Sequence, residues 1–195
     1  MAECHVMEMD EFWHLIETAL SQAEESGTFD QALVGLLAAR SKREILEYQE
    51  RFDELHGALY RWDVWAAAYL IGGGCSDDSF IDFRAGVIAQ GRDWYQRVAI
   101  NPDDLAEHPL VVAAAAEHDD DVLFYEVVNY SATYAFKQLV GDDEDFYEAW
   151  NEYWNAHPRE RVEADMGEDF DFDYAEQMHR RLPRLSALHL PDHPA

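Results

Sequence analysis

Basic residues are scarce in this sequence. Lys and Arg number 14 and Asp and Glu 41 among 195 residues, which gives a formal net charge of −27 at pH 7. A protein needs a positive surface to displace counterions from nucleic-acid phosphates or to bind an anionic membrane. We therefore expect no direct binding to nucleic acid or to a membrane. A protein partner with a basic surface fits the charge better.

Cysteines and long apolar runs are also few. The sequence holds two cysteines, Cys4 and Cys75, too few for a disulfide framework or a zinc-ribbon pattern. No window approaches the roughly 18 to 20 apolar residues of a membrane-spanning helix. The opening stretch MAECHVMEMDEF is acidic where a signal peptide would be basic and then apolar. These absences predict a cytoplasmic protein.

Apolar residues recur at helical spacing along the chain. Capping-box pairs, Thr28 with Gln31 and Ser41 with Glu44, stand at the start of two such segments. Three glycines at 72–74 end a segment that is apolar on all sides and is expected to be buried. No strand, glycine-rich turn and helix follow one another. The sequence therefore predicts an all-α fold, a compact bundle of about seven to nine helices.

The regularity of the pattern divides the chain into three parts. Residues 1–8 are expected to form a flexible N-terminus, residues 9–157 a helical domain, and residues 158–195 an acidic, less regular C-terminal extension. A short helix is predicted near 174–182, between an aspartate and a proline. In the segment 122–139 a helix is favoured, but the run VLFYEVVNY is rich in β-branched and aromatic residues, so a strand is the alternative.

One segment mixes charged and aromatic residues as ligand sites do. Between residues 52 and 94, arginines and aspartates alternate with tryptophans. Asp78 and Asp82 are four residues apart and share a helical face, while Arg84 could reach a carboxylate on a neighbouring helix. Aromatic clefts with a few convergent charges are typical ligand sites. The candidate ligand-binding residues are Arg61, Asp63, Asp77, Asp78, Asp82, Arg84 and Trp94.

Three interpretations fit these residues. A buried arginine paired with an aspartate would tie helices together without any ligand, because buried charges must be paired. A polar pocket would hold a small ligand or a divalent cation. An enzyme is the competing class, and its site would be built from carboxylates and an arginine, with a metal held through hard oxygen ligands. That site would use Asp63, Asp77, Asp78, Asp82 and Arg84.

Other motifs indicate no stronger site. Glu11 with His14, and Glu176 with His179, match the Glu-x-x-His spacing of di-iron bundles, but so acidic a chain with nine histidines produces such pairs by chance. Ser76 lacks the G-x-S-x-G context of a hydrolase nucleophile. We therefore assign no catalytic residue, no metal site and no cofactor.

The stretch 142–173 is the most acidic part of the chain, with 13 acidic residues and 2 basic ones. A solvated face backed by aromatic core residues is the ordinary interpretation. The alternative is that ordered carboxylates imitate a phosphate backbone and block the basic groove of a nucleic-acid-binding partner.

Three stretches carry a family resemblance: MDEFWHLI at 9–16, FDEL at 52–55, and YRWDVWAAAYLIGGGCSDDSFIDFR at 60–84. Over roughly residues 9 to 135 the chain resembles a bacterial family, frequent in actinomycetes, that is classed only as a domain of unknown function. The resemblance implies a bacterial, cytoplasmic, helical protein and brings no catalytic residues or cofactor. The residues themselves favour an interaction module, which binds either a basic protein partner or a small ligand in the region 61–94.

Overall fold

The computed structural model describes residues 7–25, 27–142, 144–158 and 165–190. This part of the chain has eleven α-helices, two short 3₁₀ helices and no β-strand. The all-α prediction is confirmed, while the predicted count of seven to nine helices is too low. Most of the predicted flexible N-terminus lies outside the described residues, as does the end of the predicted C-terminal extension.

The helices follow one another with short connections. In chain order they are α1 (Met9–Glu25), α2 (Phe29–Ala38), α3 (Lys42–Ala58), α4 (Trp62–Ile71), α5 (Asp77–Ala89), α6 (Arg92–Ile100), α7 (Pro109–Glu117), α8 (Ser131–Val140), α9 (Phe146–Ala156), α10 (Ala175–Arg181) and α11 (Pro183–His189). The 3₁₀ helices are Pro102–Glu107 and Glu126–Tyr130. No helix among the described residues is long and apolar enough to cross a membrane.

Local sequence signals account for several helix starts. At α3 the predicted capping box forms: the Ser41 N–H donates to Glu44 Oε2 at 2.9 Å, and the Glu44 N–H donates to Ser41 Oγ at 3.3 Å. At α5, Ser76 Oγ accepts from the Ser79 N–H at 3.1 Å. Thr28 precedes α2 but makes no side-chain capping bond, so the capping box predicted there is wrong.

The segment 122–139 forms neither one helix nor a strand. Residues 122–125 make a turn, followed by the 3₁₀ helix Glu126–Tyr130 and then by α8. Leu123 has a φ of +67°, in the left-handed region, and it is fully buried against α5. A residue with a positive φ cannot continue an α-helix, so the predicted helix is interrupted at Leu123. The side chain of Leu123 packs in the core.

The chain forms two compact units, each assembled from two separated stretches. Unit 1 comprises residues 1–55 and 127–163, and unit 2 comprises residues 56–126 and 164–195. In unit 1, α1 packs on α2, α2 packs on α8, and α8 contacts α9. The largest buried side chains of unit 1 are Met7, Phe12, Ile16, Leu33, Leu37, Ile45, Tyr48 and Phe136.

In unit 2, α5 packs on α4 and α6, and α11 packs on α4, α7 and the 3₁₀ helix Pro102–Glu107. Asp103, only 4% exposed, joins the two stretches of the unit. Its carboxylate accepts from the N–H groups of Arg184 at 3.1 Å and Leu185 at 2.9 Å, so it caps the start of α11. The main buried side chains are Leu59, Ile71, Phe80, Phe83, Val87, Ile88, Val98 and Leu185.

Candidate functional site

Arg84 has the most unusual surroundings of the predicted site residues. It lies within α5 in unit 2, and only 7% of it is exposed. Its Nε donates to the Phe80 carbonyl at 3.2 Å, and its Nη1 donates to the His56 carbonyl at 3.0 Å, one of the last carbonyls of α3. The guanidinium carbon lies 5.0 Å from the centre of the Tyr60 ring and 4.8 Å from that of Phe80. These four residues are called the arginine–aromatic cluster below.

No carboxylate forms an ion pair with Arg84 within the described ranges, and Nη2 has no hydrogen-bond partner there. Most other basic side chains of the described chain do pair with carboxylates. They are Arg40, Lys42, Arg43, Arg51, Arg61, Arg97, Lys137, Arg181 and Arg184. The cluster is therefore a buried positive charge without a negative partner, in a chain that carries 41 acidic residues.

The surroundings balance the charge of Arg84 only in part. Carbonyls at the C-terminus of α3 carry the negative end of the helix dipole, and the two ring faces attract the cation. Burial nevertheless lowers the pKa of Arg84 to about 10, so the guanidinium stays protonated at pH 7 at a cost in solvation. A full negative charge beside it would remove that cost.

His56 adds no second charge to the cluster. Burial, and then the nearby charge of Arg84, lowers the pKa of His56 to about 4. Its Nε2 lies 2.9 Å from the Ile81 carbonyl and donates to it. The imidazole is therefore neutral at pH 7, with the proton on Nε2.

Partly exposed side chains form the rim of the cluster. Tyr60 is 37% exposed and Ile81 is 41% exposed. The rings of Tyr60 and Phe80 stack at 6.0 Å and those of Phe80 and Trp65 at 4.8 Å. Stacked aromatic rings thus extend from Arg84 to Trp65 on α4.

The C-terminal extension packs on aromatic side chains of α4. The Trp62 N–H donates to the Met166 carbonyl at 3.0 Å. The ring of Phe172 lies 6.1 Å from that of Trp62, 6.4 Å from that of Trp65 and 5.5 Å from that of Tyr69. Residues 165–174 are thus held against α4.

Arg61 and Asp63 form a separate ion pair at the start of α4. Arg61 donates to both carboxylate oxygens of Asp63, at 3.0 and 2.7 Å, and its Nη1 donates to the Ala99 carbonyl at 2.7 Å. The pair joins α4 to the end of α6. Each charge of the pair is neutralised by the other, so we interpret the pair as stabilising the fold and not as part of a ligand site.

The remaining candidates lie in other places. Asp77 and Asp78 are exposed in the first turn of α5, where they complement the helix dipole. Asp82 is half-buried one turn later. Trp94 lies on α6, where its ring contacts His108 at 4.4 Å and Arg97 at 4.3 Å. The described residues contain no group of three or more His, Cys, Asp or Glu side chains arranged to hold a metal ion.

Sequence reasoning found Arg84 but missed the rest of the cluster. Phe80 stands four residues before Arg84, a helical spacing that could have suggested their contact. His56 and Tyr60 come from the end of α3 and the turn after it. Their approach to Arg84 depends on how helices pack, for which a single sequence has no signal.

The cluster falls within a recognised family domain. The model of a family described as a protein of unknown function, DUF4240, matches residues 7–138. The chain belongs to the DUF4240 family. The predicted resemblance over residues 9 to 135 is thereby confirmed, and the match includes every residue of the arginine–aromatic cluster and stops before α9. No curated protein and no solved structure matches this DUF4240 chain.

Proposed function

We propose that this DUF4240 protein is a binding protein whose arginine–aromatic cluster holds the oxyanion group of a small ligand. The observation that carries the proposal is the buried guanidinium of Arg84, which no carboxylate pairs within the described residues. Arginine presents its N–H groups as a planar fork that matches carboxylate and phosphate oxygens. The ligand would supply the negative charge that the cluster lacks.

Energetics supports a ligand at this position. Burying a charge costs several kcal/mol unless a partner compensates it, and the carbonyls around Arg84 supply only partial charges. A hydrogen bond to a charged group contributes about 1.5 to 3 kcal/mol. That bond alone falls short of the roughly 4 kcal/mol of millimolar binding, so contacts with the rest of the ligand must add to it.

The rim favours an oxyanion attached to a flat group. Tyr60 exposes part of its ring, and Ile81, whose carbonyl contacts His56, exposes an apolar side chain. Aromatic rings stack on one another in offset or edge-on arrangements. A small aromatic carboxylate would thus contact both Arg84 and Tyr60, whereas inorganic phosphate would contact Arg84 alone.

An enzyme built on the candidate carboxylates has less support. Asp63 is paired with Arg61, and Asp77 and Asp78 are exposed at the start of α5. Arg84 pairs with none of them. The proposal therefore rests on binding through Arg84 and assigns no reaction.

Calorimetric titration of the full chain with benzoate, and separately with inorganic phosphate, tests the proposal. Arg84→Gln is expected to weaken binding of each anion about tenfold or more, because a loss of 1.4 kcal/mol is a factor of ten. Arg180→Gln is the matched control, since it removes the same charge from an exposed position on α10. That variant is expected to bind as the wild type does.

Arg84→Lys separates loss of binding from loss of the fold. It keeps a positive charge at this position but removes the planar arrangement of N–H groups. If it retains the circular dichroism of the wild type, it is expected to bind benzoate several-fold more weakly. Equal affinity of wild type and Arg84→Gln would refute the proposal. Absence of binding of both anions to the wild type would refute it as well.

A further inference from the structure

Exposed aromatic side chains form a stripe along α9, which lies outside the part of the chain that the DUF4240 model matches. Tyr147 is 54% exposed and Trp154 is 44% exposed, while Trp150 is half-buried between them. Their spacing of three and four residues places all three on one side of the helix. Single exposed aromatic side chains are ordinary, but several on one side of a helix form a patch of the kind found at binding surfaces.

The other side of α9 is firmly held within unit 1. Asp145 caps the helix by accepting from the N–H groups of Tyr147 at 2.9 Å and Glu148 at 3.1 Å. The buried hydroxyl of Tyr153 donates to Glu50 Oε2 on α3 at 2.8 Å. The stripe is therefore presented on an anchored helix, which favours a specific contact because little entropy is lost on binding.

Carboxylates lie on a neighbouring flank of α9, roughly 100° or more around the helix from the aromatic stripe. Glu148 and Glu152 are exposed on α9 and stand one turn apart. Within the described ranges neither forms an ion pair, and no Lys or Arg occurs between residues 144 and 158. The surface of α9 thus combines ring faces with uncompensated negative charge.

We infer that the exposed surface of α9, with its aromatic stripe and the neighbouring carboxylates, docks a basic peptide segment of a partner protein. Lysine or arginine side chains of the partner lie on the rings of Tyr147 and Trp154, which attract cations through their π-electrons. Glu148 and Glu152, on the neighbouring flank of the helix, pair with further basic side chains of the same segment. A second copy of the chain is disfavoured as the occupant, because each copy carries a net charge of −27. The inference is independent of Arg84.

Fluorescence anisotropy with a labelled peptide of alternating arginine and alanine, at low salt, tests the inference. Trp154→Ala leaves the net charge unchanged and is expected to weaken binding about fivefold, the size of an exposed cation–π contact. The double variant Glu148→Gln, Glu152→Gln is expected to weaken binding too and to make it less dependent on salt. Tyr174→Ala is the matched control, since Tyr174 is 51% exposed in another acidic segment.

The outcomes separate a specific surface from general attraction to an acidic protein. If Trp154→Ala and Tyr174→Ala both bind the arginine peptide as tightly as the wild type, the net charge alone attracts the peptide and the inference is overturned. A wild type that does not bind the peptide overturns it equally. Circular dichroism of each variant establishes that the fold is kept, which is expected because both side chains are exposed.

Discussion

At Gly86, α5 has no space for a β-carbon. An ideal Cβ there would lie 1.8 Å from the Leu123 carbonyl oxygen. We expect Gly86→Ala to lower the free energy of unfolding by about 2 kcal/mol or more, because the buried turn at Leu123 must move. Gly35→Ala is the control, since Gly35 lies in α2 with no atom within 4 Å of the added carbon.

Urea unfolding followed by circular dichroism measures both changes. Alanine at position 35 is expected to stabilise the protein by up to about 1 kcal/mol, the difference in helix propensity. Similar effects of the two substitutions would contradict the close contact between α5 and the turn.

His108 makes stability depend on pH. It is 3% exposed, and its Nδ1 accepts from the Leu110 N–H at the start of α7. Burial, and then the charge of Arg97, lowers the pKa of His108 to about 4. The unfolded chain therefore binds a proton below about pH 6.5 that the folded chain does not. The contribution of His108 to the free energy of unfolding is therefore complete above about pH 6.5 and decreases as the pH falls toward 4.

His108→Asn keeps a capping acceptor but does not titrate. Between about pH 7 and about pH 5, the wild type is expected to lose about 2 kcal/mol more stability than the variant, by proton linkage. Urea midpoints at the two pH values measure this difference. A variant that loses as much stability as the wild type would show that His108 is protonated in the folded state.

Individual residues also mark the limit of sequence reasoning. The charge and aromatic pattern drew attention to Arg84, and that residue proves to be the buried cation of the candidate cluster. The same reasoning grouped Trp94 with it, whereas Trp94 contacts Arg97 and His108. Residues close in sequence diverge because successive helices point their side chains to different sides.

Among the helices, those with strong caps and periodicity were predictable. The capping box predicted at Ser41 and Glu44 is found at the start of α3. The last helix, α11, was missed because Pro183 was interpreted as an end, whereas proline is equally suited to the first turn of a helix. Its cap, Asp103, lies 81 residues away from Arg184 in the chain.

Removing that cap tests how strongly α11 depends on it. Asp103→Ala is expected to cost about 1 to 3 kcal/mol, because buried N–H groups at the start of α11 lose their acceptor. Asp104→Ala in the same 3₁₀ helix removes partly exposed ion pairs with Arg97 and Arg184 and an exposed hydrogen bond from Asn101 Nδ2, and is expected to cost less than about 1 kcal/mol. Urea unfolding compares the two, and equal costs would contradict the capping role.

For the whole molecule, composition and motif resemblance predicted the helical class and the DUF4240 family. The two units were not foreseen, because each combines stretches that lie far apart in the chain. Net charge pointed toward a basic partner, and the exposed surface of α9 is the one we propose for it. The arginine–aromatic cluster has the opposite electrostatic character, and only the packing of helices reveals it.

Diffraction from crystals soaked in para-bromobenzoate would show whether an aromatic carboxylate binds at Arg84, because bromine is located by its anomalous signal. We expect a bromine peak beside Tyr60, with the carboxylate within hydrogen-bond distance of Arg84 Nη2. Crystals of Arg84→Gln, soaked in the same way, are expected to lack that peak. A bromine peak only elsewhere, or one at Tyr60 that persists in Arg84→Gln, would contradict anion binding by the cluster.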